Sequence, residues 1–190
     1  HQVVRRQRQM CIRDRVVCMD QKAAFDKCPH SSIACALWNK GIHGKALRLA
    51  ISMLKDRRCK VSIGQETSDP FPVLTGTAQG SICAPFFYSV HICELARRIE
   101  EKGLGYRYND HFVGVLMFAD DLCVIPKQGE QNDLQLIMKE VEDFSSDHGQ
   151  QFGYNKTFLL HFLPDSTIPA PNNQITLRTL TGDHTIIQHE

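Results

Sequence analysis

The chain has 190 residues, 42% of them apolar, enough for one domain with a sizeable core. No run approaches the roughly 18 apolar residues of a membrane-spanning helix, and no charged-then-apolar start resembles a secretory signal. The net charge of +1 hides an asymmetry: residues 1–15 carry five Arg and one Asp, while the other 175 hold 17 Lys and Arg against 20 acids, a net −3. A complete nucleic-acid enzyme needs basic surface to neutralise phosphates, so this body implies that much of such a grip comes from outside the chain. The eight cysteines (11, 18, 28, 35, 59, 83, 93, 123) are scattered through mostly apolar segments with no CxxC pair. They read as buried free thiols in a reducing compartment, which predicts an intracellular protein without choosing nucleus or cytoplasm.

In chain order, residues 1–15 show no helix or strand period. They are either a basic nucleic-acid-binding arm or a junction scar ahead of the domain, and they carry no fold expectation. Arg15–Asp20 reads as a strand. Ser31 or Ser32 is expected to cap a helix running to Trp38 and ended by Gly41. Lys45–Arg57 is helical, with Leu47, Ala50, Ile51 and Leu54 on one face. Cys59–Ile63 and Phe71–Leu74 are short strands around a polar loop. A helix follows from about Ser81 to Lys102, with Ile82, Phe86, Val90 and Cys93 sharing a face. Val113–Phe118 and Leu122–Pro126 form an antiparallel hairpin around Ala119-Asp120-Asp121. Gln131–Asp147 is amphipathic, with Leu134, Ile137, Met138, Val141 and Phe144 inward. Phe158–Phe162 is another strand, and the Pro-, Asn- and Thr-rich tail 163–190 offers short strands at Gln174–Leu180 and Thr185–Gln188. The mixture is α+β, with helices backing one face of a small antiparallel sheet.

Asp20 ends an apolar strand, and Asp120 and Asp121 sit between two more. Carboxylates clustered at neighbouring strand ends repel one another unless cations neutralise them. Mg²⁺ suits that role, because it takes one or two carboxylates and completes its shell with water and phosphates. Two such ions clamp an in-line phosphoryl displacement, so the pattern points to nucleotidyl transfer.

Three further blocks accompany the acids. In Asp20-Gln21-Lys22-Ala23-Ala24-Phe25-Asp26 the Phe25 ring can stack under a sugar and collide with a 2′-hydroxyl, or fill the core, with Asp26 an acid at a helix entry. In Gly76-Thr77-Ala78-Gln79-Gly80 two glycines flank Gln79 just before a helix. Glycines allow close backbone approach to a ligand and a helix start favours anions, although an ordinary helix entry looks the same. In Gly149-Gln150-Gln151-Phe152-Gly153-Tyr154-Asn155-Lys156-Thr157, Lys156 can protonate a pyrophosphate leaving group or be a solvated turn residue.

In order, these four blocks resemble motifs A, B, C and D of reverse transcriptases, of the non-LTR retrotransposon and group II intron kind. The resemblance covers residues 16–162. It implies a polymerase palm with fingers and thumb largely missing, 1–15 as a leader outside the family pattern and 163–190 as an irregular tail toward a thumb. It also implies that Asp20 and Asp120 hold two Mg²⁺ ions, with Asp121 supporting and Mn²⁺ able to substitute. Phe25 would be the gate against ribonucleotides, Gly76, Gln79 and Gly80 the contact to incoming nucleotide and template, and Lys156 the aid to pyrophosphate departure. The implied partners are an RNA template, a DNA primer and deoxynucleoside triphosphates, with no membrane. Three positions depart from the pattern: Phe118 replaces the usual Tyr, Ala78 a frequent Arg, and Gly153 a frequent Asn. Two other readings stand beside this one. A non-catalytic remnant that binds RNA or protein would not need Mg²⁺, and another two-metal enzyme would not need Phe25 or the Gly76–Gly80 block.

Overall fold

The computed structural model describes residues 14–127, 131–162, 175–179 and 182–186. The basic opening 1–13 and residues 163–174 lie outside the described residues, as do parts of the expected tail strands. The elements are β1 (Asp14–Lys22), α1 (His30–Asn39), α2 (Gly44–Leu54), β2 (Arg58–Cys59), β3 (Ser62–Ile63), β4 (Glu66–Thr67), β5 (Phe71–Pro72), α3 (Ala84–Glu101), β6 (Arg107–Tyr108), β7 (His111–Phe112), β8 (Val115–Phe118), β9 (Asp121–Val124), α4 (Gln131–His148), β10 (Gln151–Phe162), β11 (Ile175–Thr179) and β12 (Gly182–Ile186). Two compact units form. One contains the described residues up to Lys22, then 95–147 and those from Gln151 on; the other contains 23–94 and 148–150.

The first unit is built on an antiparallel sheet of order β10-β1-β9-β8. Alternation along the strands divides its two faces, as it does in half-buried antiparallel sheets. Val17 and Met19 of β1, Leu122 and Val124 of β9 and Leu159 of β10 are buried. From the helices, Leu95 and Ile99 of α3 and Leu134, Ile137, Met138, Val141 and Phe144 of α4 are buried too. The inward stripe expected for α4 is therefore found in full. On the other sheet face Cys18 pairs with Cys123 and Asp20 with Asp121. This face stays open: Leu116 and Phe118 of β8 and Phe158 and Leu160 of β10 are partly or largely exposed. The tail strands do form, as the hairpin β11–β12.

The second unit packs α1 and α2 around Cys28, Ile33, Leu37, Leu54 and Phe87. Leu47 and Ala50 pack against this cluster as the helical spacing predicts. The polar loop is more ordered than expected. β2 pairs with β5, and the loop between them folds into its own hairpin, β3–β4.

Three local expectations are corrected. Neither Ser31 nor Ser32 caps α1: Pro29 holds the N-cap position without a side-chain bond. Ser32 instead places its Oγ 2.7 Å from His91 Nδ1. Helix α3 starts at Ala84 and buries Phe87, Tyr88, His91, Ile92, Leu95 and Ile99. Ile82 is 96% exposed and Phe86 half exposed, so the expected face is wrong at its N-terminal end. This helix is apolar on two sides; spacing fits either stripe, and the buried one includes Tyr88 and His91, whose polar atoms disguised it. Finally, Cys35 and Cys59 are exposed rather than buried. Among the described residues no helix is long and apolar enough to cross a membrane.

Candidate active site

On the open sheet face Asp20 and Asp121 are direct cross-strand partners, which places their Cβ atoms about 5 Å apart on one side of the sheet. Asp120 lies beside them in the two-residue turn between β8 and β9, closed by the pair Phe118–Asp121. Its carbonyl accepts the Gln21 N–H at 2.9 Å, tying the turn to β1. Ala119 takes φ +51°, the left-handed region disfavoured for a residue with a Cβ. Like charges directly opposite on a sheet are unfavourable without a cation.

Lys156 supplies one. Along β1 the register steps from Cys18 to Asp20, while along β10 it steps from Phe158 to Gly153, so residues 154–157 bulge out of the ladder. Thr157 Oγ1 closes the bulge by donating to the Gly153 carbonyl at 3.0 Å. From this bulge the Lys156 ammonium reaches both Asp20 carboxylate oxygens at 3.1 Å. The Lys156 side chain is 70% exposed, that of Asp20 18%. Solvent therefore reaches the lysine end of the pair, where the ammonium can leave for another partner, while the carboxylate stays held in the sheet face. Gly153, opposite Asp20, is held small: a Cβ there would lie 3.3 Å from the Asp20 carbonyl and from its Oδ2.

The donors on this face are hard carboxylate oxygens, which suit Mg²⁺ or Mn²⁺. Among the described residues no three acidic, Cys or His side chains converge into a cage. Mg²⁺ fits such a set, because it needs only one or two carboxylates when substrate phosphates complete the shell. The neighbouring thiols on the same face are not ligands of this kind. Cys18 Sγ lies 2.7 Å from Cys123 Sγ. Burial, then Cys123, then the Asp121 charge push the Cys18 thiol up to about 12, so it stays protonated.

The remaining expected site residues belong to the second unit. Phe25 is half-buried, its ring centroid 4.8 Å from that of Tyr88 at 38°. The chain after it is stitched to the Gly76 loop. The Thr77 N–H donates to the Phe25 carbonyl at 2.7 Å and the Gly76 N–H to the Cys28 carbonyl at 2.8 Å, and Pro29 bridges Thr75. Thr75 Oγ1 donates to the Asp26 carbonyl at 3.1 Å. The Gly76 carbonyl lies 2.8 Å from both Arg57 Nη1, which donates to it, and His30 Nε2. Gly76 has φ +81°, and a Cβ there would meet the Asp26 carbonyl oxygen at 2.4 Å, so only glycine fits this seam. Gln79, beyond the stitch, donates from Nε2 to Asp26 Oδ1 and Oδ2 at 3.2 and 3.3 Å. Gly80 is exposed with φ +85°.

The eight expected residues thus fall into two groups. Asp20, Asp120, Asp121 and Lys156 are together in the first unit, and Phe25, Gly76, Gln79 and Gly80 in the second.

The family model for reverse transcriptase (RNA-dependent DNA polymerase) matches residues 4–181. The chain belongs to the reverse transcriptase family. Two curated relatives of this reverse transcriptase chain are retrovirus-related Pol polyproteins from the type-1 retrotransposable element R2. That of Popillia japonica is 26% identical over 167 residues, covering 86% of this chain and 23% of the relative. That of Nasonia vitripennis is 23% identical over 149 residues, covering 78% and 14%. The chain therefore spans less than a quarter of either. The expected retrotransposon kinship is borne out. Among solved structures, telomerase from Candida tropicalis in complex with a TWJ fragment of telomeric RNA has a TM-score of 0.63 at 13% identity, covering 93% of this chain and 30% of its own. The apo telomerase of the same organism gives 0.61 at 11% identity, covering 92% and 32%. Identities this low establish the shared α+β fold and nothing more.

Sequence reasoning missed Asp26, His30 and Arg57. The first stood in a recognised block, but its partner is 53 residues away and nothing local announces that contact. The best available signal was the glycine at position 76, whose need for closeness implied a neighbouring backbone.

Proposed function

We propose that this chain is the palm of an RNA-directed DNA polymerase, extending a DNA primer along an RNA template with deoxynucleoside triphosphates. Asp20 and Asp120, supported by Asp121, hold two Mg²⁺ ions, with Mn²⁺ able to substitute. When bound there, such ions would supply Lewis-acid activation of the primer 3′-hydroxyl and charge neutralisation of the triphosphate. The observation that carries the reading is the open-face cluster: Asp20 opposite Asp121, Asp120 in the adjoining turn, and a releasable Lys156 on Asp20.

The chain's own groups do the rest. The ladder bonds between β1 and β9 and the Gln21–Asp120 bond hold the carboxylates in place before substrate arrives. Lys156, whose side chain is 70% exposed on its side of the Asp20 pair, would reach the pyrophosphate and donate a proton as it leaves. Phe25, braced by Tyr88, is the gate against a 2′-hydroxyl. Gly76, Gln79 and Gly80 line the contact to nucleotide and template.

Primer extension by the full protein that carries this chain tests the reading. Asp120→Asn is expected to abolish synthesis, and a loss below about tenfold, roughly 1.4 kcal/mol of barrier, would remove Asp120 from the metal site. In the same assay Phe25→Ala is expected to admit ribonucleotides; unchanged sugar selection would remove the gate.

A further inference from the structure

We infer that Asp26 is a positioning residue for Gln79, an inference that rests on the placement of Gln79 at the nucleotide contact. Backbone bonds fix the segment around Thr75–Thr77 to the one around Phe25–Cys28, and the two donors on the Gly76 carbonyl lock the seam. Gln79 lies two residues past the last of these bonds. Its backbone is anchored, but its exposed amide has rotamer freedom that ligand binding must pay for in entropy.

Asp26 removes that freedom. Its carboxylate is acceptor-only, so it takes the NH₂ end of the amide and repels the carbonyl end. Both carboxylate oxygens face the same Nε2, at 3.2 and 3.3 Å. The Gln79 Oε1 is thereby turned away from Asp26, and the amide meets a ligand with its acceptor end first. The polarity of this contact is set by Asp26 rather than by chance rotation, which favours a hydroxyl or amino group on the ligand. The Asp26 backbone is held independently, by Thr75 Oγ1 on its carbonyl and by its own N–H on the Ala23 carbonyl at 3.0 Å. Truncating its side chain therefore leaves the seam standing.

The test is steady-state primer extension with the full protein carrying Gln79→Ala, Asp26→Ala, Asp26→Asn and the double Asp26→Ala/Gln79→Ala, with melting temperatures alongside. Gln79→Ala is expected to lower kcat/KM for the deoxynucleotide roughly tenfold, the scale of one hydrogen bond. Asp26→Ala is expected to reproduce most of that loss as a rise in KM, with kcat and melting temperature held. The double variant should be no worse than Gln79→Ala, and Asp26→Asn, which keeps one oxygen for the amide, should recover part of the loss. Losses that multiply in the double variant would overturn the inference. So would a silent Asp26→Ala beside a damaged Gln79→Ala. A silent Gln79→Ala would overturn the nucleotide-contact assignment of Gln79 itself, and the positioning role with it.

Discussion

Lys156 pairs with Asp20 on the open sheet face. There two acids stand opposite each other, and the lysine, itself largely in solvent, relieves that repulsion. Two thiols, Cys18 on this face and Cys28 in the core of the second unit, behave differently. Burial raises Cys28 to about 12, as burial first and Cys123 second raise Cys18 to about 12, from an ordinary value of 9.0. A thiol whose folded pKa lies above its unfolded one binds its proton more tightly when folded. Stability from both is therefore complete below about pH 9 and is lost as pH rises toward 12. Accordingly, at pH 8 an alkylating agent should label the exposed Cys35 and Cys59 quickly and Cys18 and Cys28 slowly, as mass spectrometry would read. Equal rates at all four would refute the burial assigned to the two slow thiols.

Strands and helices that alternate cleanly were legible. In α4 Leu134, Ile137, Met138, Val141 and Phe144 form the buried stripe while Leu136 stays half exposed off it, and in β9 Leu122 and Val124 are buried at alternate positions. Helix α3 was misread because two stripes competed, and the bulge in β10 was invisible because only pairing with β1 reveals the three extra residues. Asp133 is a second case of hidden wiring. It sits in the first turn of α4, where a carboxylate is favoured by the helix dipole, and it is 2% exposed. Its Oδ2 accepts the N–H groups of Gly105 at 3.1 Å and Lys127 at 2.7 Å, joining the approach to β6 and the exit of β9 to the helix. Asp133→Ala would strand two backbone donors, each costing about 1–3 kcal/mol. Urea denaturation should show a loss of at least about 2 kcal/mol; a loss under about 0.5 kcal/mol would mean these bonds are readily replaced by water.

At the scale of the whole chain, four short blocks far apart in sequence carry the family resemblance by their residues and their order. The fold adds what they do not spell out: Asp20 and Asp121 face each other across paired strands, Gly76 lies in a seam with no room for a Cβ, and Lys156 stands on a bulge. What the blocks could not show was how acid and amide side chains pair within them, as Asp26 does with Gln79, since pairing depends on register and loop closure rather than on residue type. The claim at the centre is that Asp20 and Asp120 hold catalytic cations. Mn²⁺ binding, followed by electron paramagnetic resonance with deoxynucleoside triphosphate present, tests it most directly. We predict binding to the chain that Asp20→Asn/Asp120→Asn loses while circular dichroism is unchanged. Equal binding by the folded double variant, or none by the parent chain, would contradict the metal assignment.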